Sequence, residues 1–329
     1  MACGLLDEDE DSGLTVPSQG IYILCEGNYT GGNASLWWIS PDFTTSIPDV
    51  YTGLTDQPLG DTGQSLLVDG DRLYVVVNGS STLEVFDLAG ENLEFEHRLD
   101  LNGAGPRELA VSGTTGYLTC WNLAGILVID LVTWAIEDTI PVAGKTEDII
   151  VVGDYLYVAV PSNIDFTNAT SVLKLALDDG SLVATYDVGP GPQQLLLDGD
   201  VLYVARQWYD YEYNSYQGLA RIDLTTAEVF SVDIGAGSGV DLFNLAGHNY
   251  IATSNGVTQF TGDLEVATGG RIGGGLQNIY SAGTDGVNCL IGTADFTGPG
   301  EVHAFTPEGT ELASFITGVG PGAFASYSR

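Results

Sequence analysis

The chain has 329 residues, of which 44% are hydrophobic and 10% aromatic, and it contains 44 glycines and 12 prolines. This composition suits many short strands joined by tight turns and argues against disorder and against long helices. The formal charge of −35, from 44 Asp and Glu against 9 Lys and Arg, argues against nucleic acid as a partner, because binding it requires clustered cations. The acidic excess has two interpretations, a solvating shell suited to a saline habitat or a face that attracts cations.

The first residues resemble the cleavage site of a bacterial lipoprotein. Cys3 follows a small residue and precedes Gly4, as if a start Met had replaced the hydrophobic signal. Lipid on Cys3 would supply several acyl chains, enough for stable anchoring. The acidic run 7–11 resembles the export signal that sends Bacteroidetes lipoproteins to the outside of the outer membrane. The alternative is an incidental cysteine on an acidic tail.

We therefore expect a lipid anchor and flexible tether over residues 1–19, a folded domain over 20–329, and an outer-membrane location that faces the cell exterior. The remaining cysteines, Cys25, Cys120 and Cys289, follow apolar or strand-like runs without a CxxC spacing. They are predicted to be small buried hydrophobic residues.

Taken in chain order, the predicted elements form a repeat of strand, tight turn and strand. Six such hairpins occupy residues 65–78, 109–121, 149–161, 195–207, 242–254 and 279–293. Their starts fall 37 to 47 residues apart, which is the spacing of four-stranded propeller blades. A second set of hairpins has its turns at 40–44, 87–92, 130–135, 177–181, 223–228, 260–264 and 305–310. Asp, Gly and Pro at these turns supply the backbone angles that they require.

The second set has seven members and the first only six, so one inner hairpin must be split between the chain ends. Residues 324–327 supply its first strand and residues 21–24 its second. This pairing leaves no open sheet edge around the ring. The sequence therefore predicts an all-β, seven-bladed β-propeller with four-stranded antiparallel blades, closed by the C-terminal strand at about 324–328.

The connections between predicted blades end in a ring of polar side chains. The residue before each inner strand is Gln64, Glu108, Asp148, Gln194, Asp241, Asn278 or, in the seventh case, Ala323. These carboxylates and amides have two interpretations. Either they face a ligand at the mouth of the central channel, or they bind backbone amides and join blade to blade.

An aromatic loop is the most specific binding signal in the chain. Its candidate ligand contacts are Arg206, Trp208, Tyr209, Tyr211, Tyr213 and Tyr216, and other loops on the same face add Tyr29, Trp121, Asn163 and Phe166. Aromatic faces with polar edges are platforms for flat or sugar-like ligands. The alternative is that these rings fold back and pack on one another.

Candidates for catalysis are few. His97 and His303 fall in predicted strands and His248 in a turn on the opposite face, so they form no triad or metal cluster visible in the sequence. The Asp-Gly-Asp runs at Asp69 and Asp198 are explained by turn chemistry better than by calcium binding. We therefore predict no enzyme, no catalytic residue, no metal and no cofactor.

The runs CEGNYTGGNASLWWISP (25–41) and PLGDTGQSLLVDGDRLYVVVNGSSTLEVFD (58–87) resemble the YncE-like propeller lipoproteins of Bacteroidetes outer membranes. The likeness is close over the first two blades. It implies a monomeric surface protein that captures cobalamin or another corrinoid and passes it to a TonB-dependent transporter. Two alternatives stay open: an adhesion or scaffold propeller for protein or glycan, and a metal-dependent propeller lactonase or lyase.

Overall fold

The computed structural model describes residues 13–239 and 241–329, which form 27 strands and one short helix. The first eleven strands are β1 (Gly20–Cys25), β2 (Ser35–Ile39), β3 (Ser46–Ile47), β4 (Gly63–Asp69), β5 (Arg72–Val77), β6 (Thr82–Asp87), β7 (Glu94–Asp100), β8 (Pro106–Ser112), β9 (Thr115–Cys120), β10 (Gly125–Asp130) and β11 (Ala135–Pro141). The next eight are β12 (Ile149–Val152), β13 (Tyr155–Ser162), β14 (Asn168–Ala176), β15 (Leu182–Asp187), β16 (Pro192–Asp198), β17 (Val201–Tyr209), β18 (Ser215–Asp223) and β19 (Val229–Ala236). The last eight are β20 (Leu242–Leu245), β21 (His248–Thr253), β22 (Gly256–Phe260), β23 (Ile279–Thr284), β24 (Cys289–Thr293), β25 (Glu301–Phe305), β26 (Glu311–Ile316) and β27 (Pro321–Tyr327). The helix, α1, spans Val50–Thr55.

The strands form seven antiparallel sheets, so the predicted seven-bladed β-propeller is confirmed. Blade 1 has the order β27-β1-β2-β3, and blades 2 to 5 follow as β4–β7, β8–β11, β12–β15 and β16–β19. Blade 6 is β20–β22 and blade 7 is β23–β26. Each blade runs outward from its innermost strand, here called strand A, through B and C to D.

The ring closes as the sequence predicts. β27 supplies strand A of blade 1 and pairs with β1, with Phe324 opposite Ile23 and Ala325 opposite Tyr22. The closing strand is longer than predicted, since it begins at Pro321. Hydrogen bonding between the two chain ends therefore completes the circle.

The burial pattern follows each strand's place in its blade. Strand B of blade 2, β5, is buried along Leu73–Val77, because neighbouring blades cover both of its faces. The outer strand β7 alternates exposed and half-buried residues, because only one of its faces packs inward. Buried apolar residues form seven clusters among the described residues, and these lie between neighbouring blades.

Blade 6 departs from the four-stranded pattern at its outer edge. The predicted turn after Phe260 is present, but the position of a fourth strand is filled by a segment held at two isolated bridges, Phe260 to Val266 and Val257 to Ile272. This segment contains Gly269 and Gly270. Glycine weakens strands, because it has no side chain to pack and loses more backbone freedom.

Two local features differ from the sequence-based expectation. Residues 14–18, expected to be flexible tether, lie against blade 2, where Val16 is fully buried and Ser18 donates to the Gly90 carbonyl at 3.0 Å. The helix α1 was not predicted. It lies in the connection from blade 1 to blade 2, and its Tyr51 ring packs edge-on against Phe86 and Phe95.

The remaining placements agree with expectation. Cys25, Cys120 and Cys289 are buried free thiols, and burial raises the pKa of Cys25 to about 11. His97 and His303 lie in strands, and His248 begins β21 directly after the inner turn of blade 6. Cys3 lies outside the described residues. Within the described ranges, no helix has the length and apolar character needed to cross a bilayer.

Candidate ligand-binding face

The antiparallel order of each blade places its B–C connection, and its D–A connection to the next blade, at the same end of the ring. We call this end the loop face. A central cavity of about 690 Å³ is lined by the inner strands of the blades and by residues of these connections. Of the predicted polar ring, Gln64, Glu108, Asp148, Gln194 and Asp241 line this cavity.

Most of these ring residues join one blade to the next. Asp148 accepts the Leu195 N–H at 2.7 Å, and Asp241 accepts the Ala282 N–H at 2.7 Å. Gln194 likewise accepts the N–H of Leu242. In each pair the acceptor belongs to one blade and the N–H to strand A of the following blade, so the interpretation of these groups as connectors holds here.

Hydroxyl groups make the equivalent links elsewhere in the ring. Ser65 donates to the Arg107 carbonyl at 2.7 Å, and Thr119 donates to the Glu147 carbonyl at 2.6 Å. Ser281 donates to the Pro321 carbonyl at 2.5 Å and so joins blade 7 to the closing strand. Buried polar groups that are fully paired fix one arrangement of the blades.

The expectation that every ring residue precedes its strand needs correction. Gln64 and Glu108 lie inside β4 and β8, where a shift of register leaves them unpaired, and Gln194 lies inside β16 directly after such a shift. A bulge adds an unpaired residue and turns its side chain relative to the pleat. Sequence alternation alone does not reveal such an extra residue.

Asn278 is not among the cavity-lining residues. It is exposed, and its φ of 55° lies in the left-handed region, which asparagine tolerates. Its carbonyl accepts the Ala294 N–H at 3.0 Å. Asn278 therefore shapes the connection before β23 rather than the cavity wall.

Burial in the cavity wall favours the protonated form of the ring carboxyls. It raises the pKa of Asp148 to about 6 and that of Asp241 to about 7, against the opposing effect of the backbone N–H groups that they accept. The pKa of Glu108 is raised well above its ordinary value by burial and then by the charges of Asp148 and Glu147. The cavity therefore changes its charge near neutral pH.

Arg107 is the one cation among the cavity-lining residues of the described chain. Its guanidinium binds both carboxylate oxygens of Glu147, at 3.0 and 3.1 Å from Nε, and also donates to Gln64. The same guanidinium lies 4.2 Å from the centre of the Trp121 ring, and the Trp121 indole donates to Glu147 at 2.9 Å. This network fixes Trp121 at the cavity rim.

The predicted aromatic loop is largely a β-hairpin. β17 and β18 extend beyond the blade with Trp208 opposite Tyr216, and these two rings stack at 5.9 Å. Asp210 organises the tip by accepting the N–H groups of Glu212 and Asn214. The alternative that the rings pack on one another therefore holds for Trp208 and Tyr216 alone among the aromatic residues of this hairpin.

The tip of the hairpin presents its tyrosines to solvent. Tyr211 is fully exposed, Tyr213 is 87% exposed and Tyr209 is 50% exposed. On the same loop face, Tyr29 is 83% exposed and Phe166 is 71% exposed. Apolar rings grouped on one face of a protein mark an interaction surface more often than single exposed residues do.

Arg206 does not face this surface. It is only 2% exposed, and its guanidinium donates to the Val232 carbonyl at 2.8 Å and to Asp233 at 2.7 Å. The absence of a side chain at Gly189 and Gly218 leaves room for it. Arg206 lies in the inner hairpin of blade 5 and is buried, so it is part of the core of that blade and not a ligand contact.

Asn163 shapes its loop. Its amide donates to the Thr167 hydroxyl at 3.0 Å, and its carbonyl accepts the Phe166 N–H at 3.0 Å. The neighbouring Asn168 donates to the Tyr209 carbonyl at 3.0 Å and so ties this loop to the aromatic hairpin.

Sequence reasoning missed several residues of the loop face. Arg107, Glu147 and Lys145 surround Trp121, and Glu26 accepts the Tyr280 hydroxyl at the junction of blades 7 and 1. The scarcity of cations in the chain was a usable signal for Arg107 and Lys145. Nothing in the sequence brings Glu26 and Tyr280 together, because 254 residues separate them.

The fold and this face define a seven-bladed β-propeller with a carboxylate-lined central cavity and an aromatic loop face. Over residues 19–238 the chain matches the family described as "Domain of unknown function (DUF5074)", and it belongs to that family. A search of curated proteins found no match. Among the described residues, no cluster of three or more His, Cys, Asp or Glu is arranged to hold a metal ion.

Solved structures share the fold at low sequence identity. A protein of Bacteroides fragilis provisionally assigned as a 6-phosphogluconolactonase is 15% identical, with 94% of this chain and 98% of that one covered and a TM-score of 0.66. A similarly assigned protein of Bacteroides uniformis is 13% identical, with coverage of 91% and 100% and a TM-score of 0.64. Apo AztD of Citrobacter koseri is 11% identical, with coverage of 96% and 99% and a TM-score of 0.57. These likenesses concern the fold alone.

Proposed function

We propose that the protein is a non-enzymatic binding propeller that captures a corrinoid, such as cobalamin, on its loop face. Anchored through lipid on Cys3 at the outer membrane, it would present this ligand to a TonB-dependent transporter. The observation that carries the proposal is the pair of exposed tyrosines, Tyr211 and Tyr213, at the same end as the mouth of the cavity. Their rings are free to contact a ligand without any rearrangement of the core.

The chemistry of the face suits this class of ligand. A corrinoid has a broad apolar ring system bordered by amide side chains. Tyrosine and tryptophan rings supply apolar contact for the ring system, and their polar edges supply partners for the amides. The central cavity has a volume of about 690 Å³, which is in the range of small-molecule sites.

Recognition accounts for the cavity better than catalysis does. The carboxylates of Asp148 and Asp241 are held by backbone N–H groups of the next blade. A general base or a metal ligand needs its oxygens directed at the reacting group or the ion. The neighbours provisionally assigned as 6-phosphogluconolactonases share too little sequence to assign roles to these residues.

Isothermal titration calorimetry with cyanocobalamin and cobinamide tests the proposal. We expect micromolar or tighter binding to at least one of them. The double variant Tyr211→Ser, Tyr213→Ser should weaken this binding about tenfold, since each aromatic contact contributes roughly 0.5–1.5 kcal/mol beyond its buried area. Phe230→Ser is the matched control, because Phe230 is 47% exposed but lies near the outer turn at the opposite end of blade 5.

Absent or only millimolar binding of both corrinoids would refute the proposal. Specific capture of a glycan or a protein in its place, lost in the double tyrosine variant, would favour the adhesion alternative.

A further inference from the structure

Cations are scarce in this protein, and most of them have an acidic partner. Arg72, Arg98, Arg107, Arg206 and Arg221 each have a carboxylate oxygen within 4.0 Å. With 44 acidic residues against 9 Lys and Arg, such a partner is easily found. A lysine on the loop face without such a partner can donate to an anionic group of a ligand.

Lys145 is that residue. It lies in the D–A connection from blade 3 to blade 4, and no carboxylate of the described chain forms a salt bridge with it. Its ammonium lies 4.3 Å from the centre of the Phe166 ring and 5.7 Å from that of Trp121. It makes one hydrogen bond, to the Trp121 carbonyl at 3.3 Å. Since an ammonium carries three N–H groups, it retains donors for another acceptor.

The Phe166 ring lies beside this ammonium and is largely exposed. Its φ of 65° lies in the left-handed region, which a bulky side chain rarely adopts, and the ring is 71% exposed. The loop is fixed by Asp165, which accepts the N–H and the hydroxyl of Thr167 at 3.1 and 2.6 Å. The same left-handed φ occurs at the equivalent turn residues Phe43, Tyr213 and Leu264, so it belongs to the turn, and the feature that points to a ligand is the exposure of the Phe166 ring beside a cation.

The opposite wall of the same site is equally fixed. Arg107 lies 4.2 Å from the Trp121 ring, and Glu147 accepts the Trp121 indole N–H at 2.9 Å. Lys145 is thus placed between one immobilised aromatic ring and one exposed ring. Two apolar surfaces next to a cation can bind a molecule that has an anionic group attached to a flat or apolar body.

We propose that Lys145, Phe166 and Trp121 form an oxyanion subsite, which binds a phosphate or carboxylate group of the molecule captured on the loop face. The ammonium donates to the oxyanion, and the two rings contact the part of the ligand next to it. This inference rests on the proposed function and adds to it a ligand feature, an anionic group. A strongly acidic protein gains selectivity from such a site, because its remaining charge repels anions that lack the apolar contacts.

The experiment compares two corrinoids that differ in this group. Cyanocobalamin has a phosphodiester in its nucleotide loop, whereas cobinamide lacks both the nucleotide and the phosphate. Calorimetry should show tighter binding of cyanocobalamin to the wild type. Lys145→Gln should weaken cyanocobalamin about tenfold and cobinamide less than twofold, and Lys145→Arg, which keeps the charge, should retain most of the affinity.

Lys174→Gln is the matched control. Lys174 belongs to the same blade and lies over an aromatic ring, 3.8 Å from the centre of Tyr155, but at the other end of the blade. It should change neither affinity. If Lys145→Gln leaves both affinities unchanged or weakens both equally, the subsite is refuted while the proposed function stands. If neither corrinoid binds the wild type, both proposals fail.

Discussion

The substitution Asp241→Asn should make the protein more stable at neutral and alkaline pH. Burial raises the pKa of Asp241 from its ordinary 3.8 to about 7, although its carboxylate accepts the Ala282 N–H at 2.7 Å. A raised pKa means that the folded state binds the proton more tightly than the unfolded state. The stabilisation is complete below about pH 4 and is lost as the pH rises through about 7.

The magnitude follows from the size of the shift. One pKa unit corresponds to roughly 1.4 kcal/mol, so three units set a ceiling of about 4 kcal/mol between pH 4 and pH 8. Because the carboxylate is partly accessible from the cavity, we expect about 1–2 kcal/mol after solvent screening. The asparagine carbonyl can accept the same N–H and carries no charge, so the variant should gain this amount at pH 8 and only about a quarter of it at pH 4.5.

Urea unfolding at intervals from pH 4.5 to 8.5 provides the measurement. Asp223→Asn is the control, since hydrogen bonds from Thr225 and Thr226 lower the pKa of that exposed carboxyl to about 2. Its contribution is constant over this range, so the control should be destabilised equally at every pH. The prediction is wrong if the free energy of unfolding of Asp241→Asn runs parallel to that of the wild type over this pH range, or is lower at pH 8. Burial would then not raise the pKa of Asp241.

Two further predictions concern stability, and a third concerns the accessibility of the cysteines. Arg107→Met should lower the free energy of unfolding by about 3–5 kcal/mol, because Glu147 is only 7% exposed and would lose its counter-ion. The double variant Arg107→Met, Glu147→Gln should lose less stability in urea unfolding, and an equal loss would contradict the pairing. Gly191→Ala should lower the free energy of unfolding by at least about 2 kcal/mol more than the control Gly199→Ala does. Both glycines have positive φ, but a Cβ would collide with the Gln207 carbonyl at Gly191 and meet open space at Gly199. In a Cys3→Ser variant, Cys25, Cys120 and Cys289 should react with a thiol reagent only after unfolding, because burial raises their pKa values to about 11, 12 and 12. Rapid reaction of this variant in its native state would contradict their burial.

The sequence was sufficient for the architecture because the repeat is written into every blade. Each inner hairpin combines apolar strands with a turn that needs a left-handed backbone, as at Gly70, Gly113, Gly153 and Gly199. The split blade followed from counting hairpins and is confirmed by the pairing of β27 with β1. The outer edge of blade 6 and the helix α1 were not predictable in this way, because non-repetitive contacts determine both.

The candidate site was only partly predictable, because a sequence shows which polar residues approach the axis but not which bonds they form. The residues of the polar ring were found, but Asp148, Gln194 and Asp241 proved to join neighbouring blades. The aromatic loop was found, but pairing of Trp208 with Tyr216 makes it a hairpin. Arg206 was misassigned, because its burial depends on glycines at positions 189 and 218 that are distant in sequence or on another strand.

The structure also divides the acidic excess into two populations with different physical roles. Exposed carboxylates such as those of Asp130 and Asp295 accept backbone N–H groups within their own turns, which lowers their pKa and keeps them charged. The cavity carboxyls of Asp148 and Asp241 have raised pKa values and accept N–H groups from another blade. Part of the acidic excess is therefore explained by turn formation, and neither a saline habitat nor cation binding is needed to account for these residues. Of these two populations, the cavity carboxyls have raised pKa values and the turn carboxyls lowered ones, so mildly acidic pH should change the charge of the cavity and leave these turns unchanged.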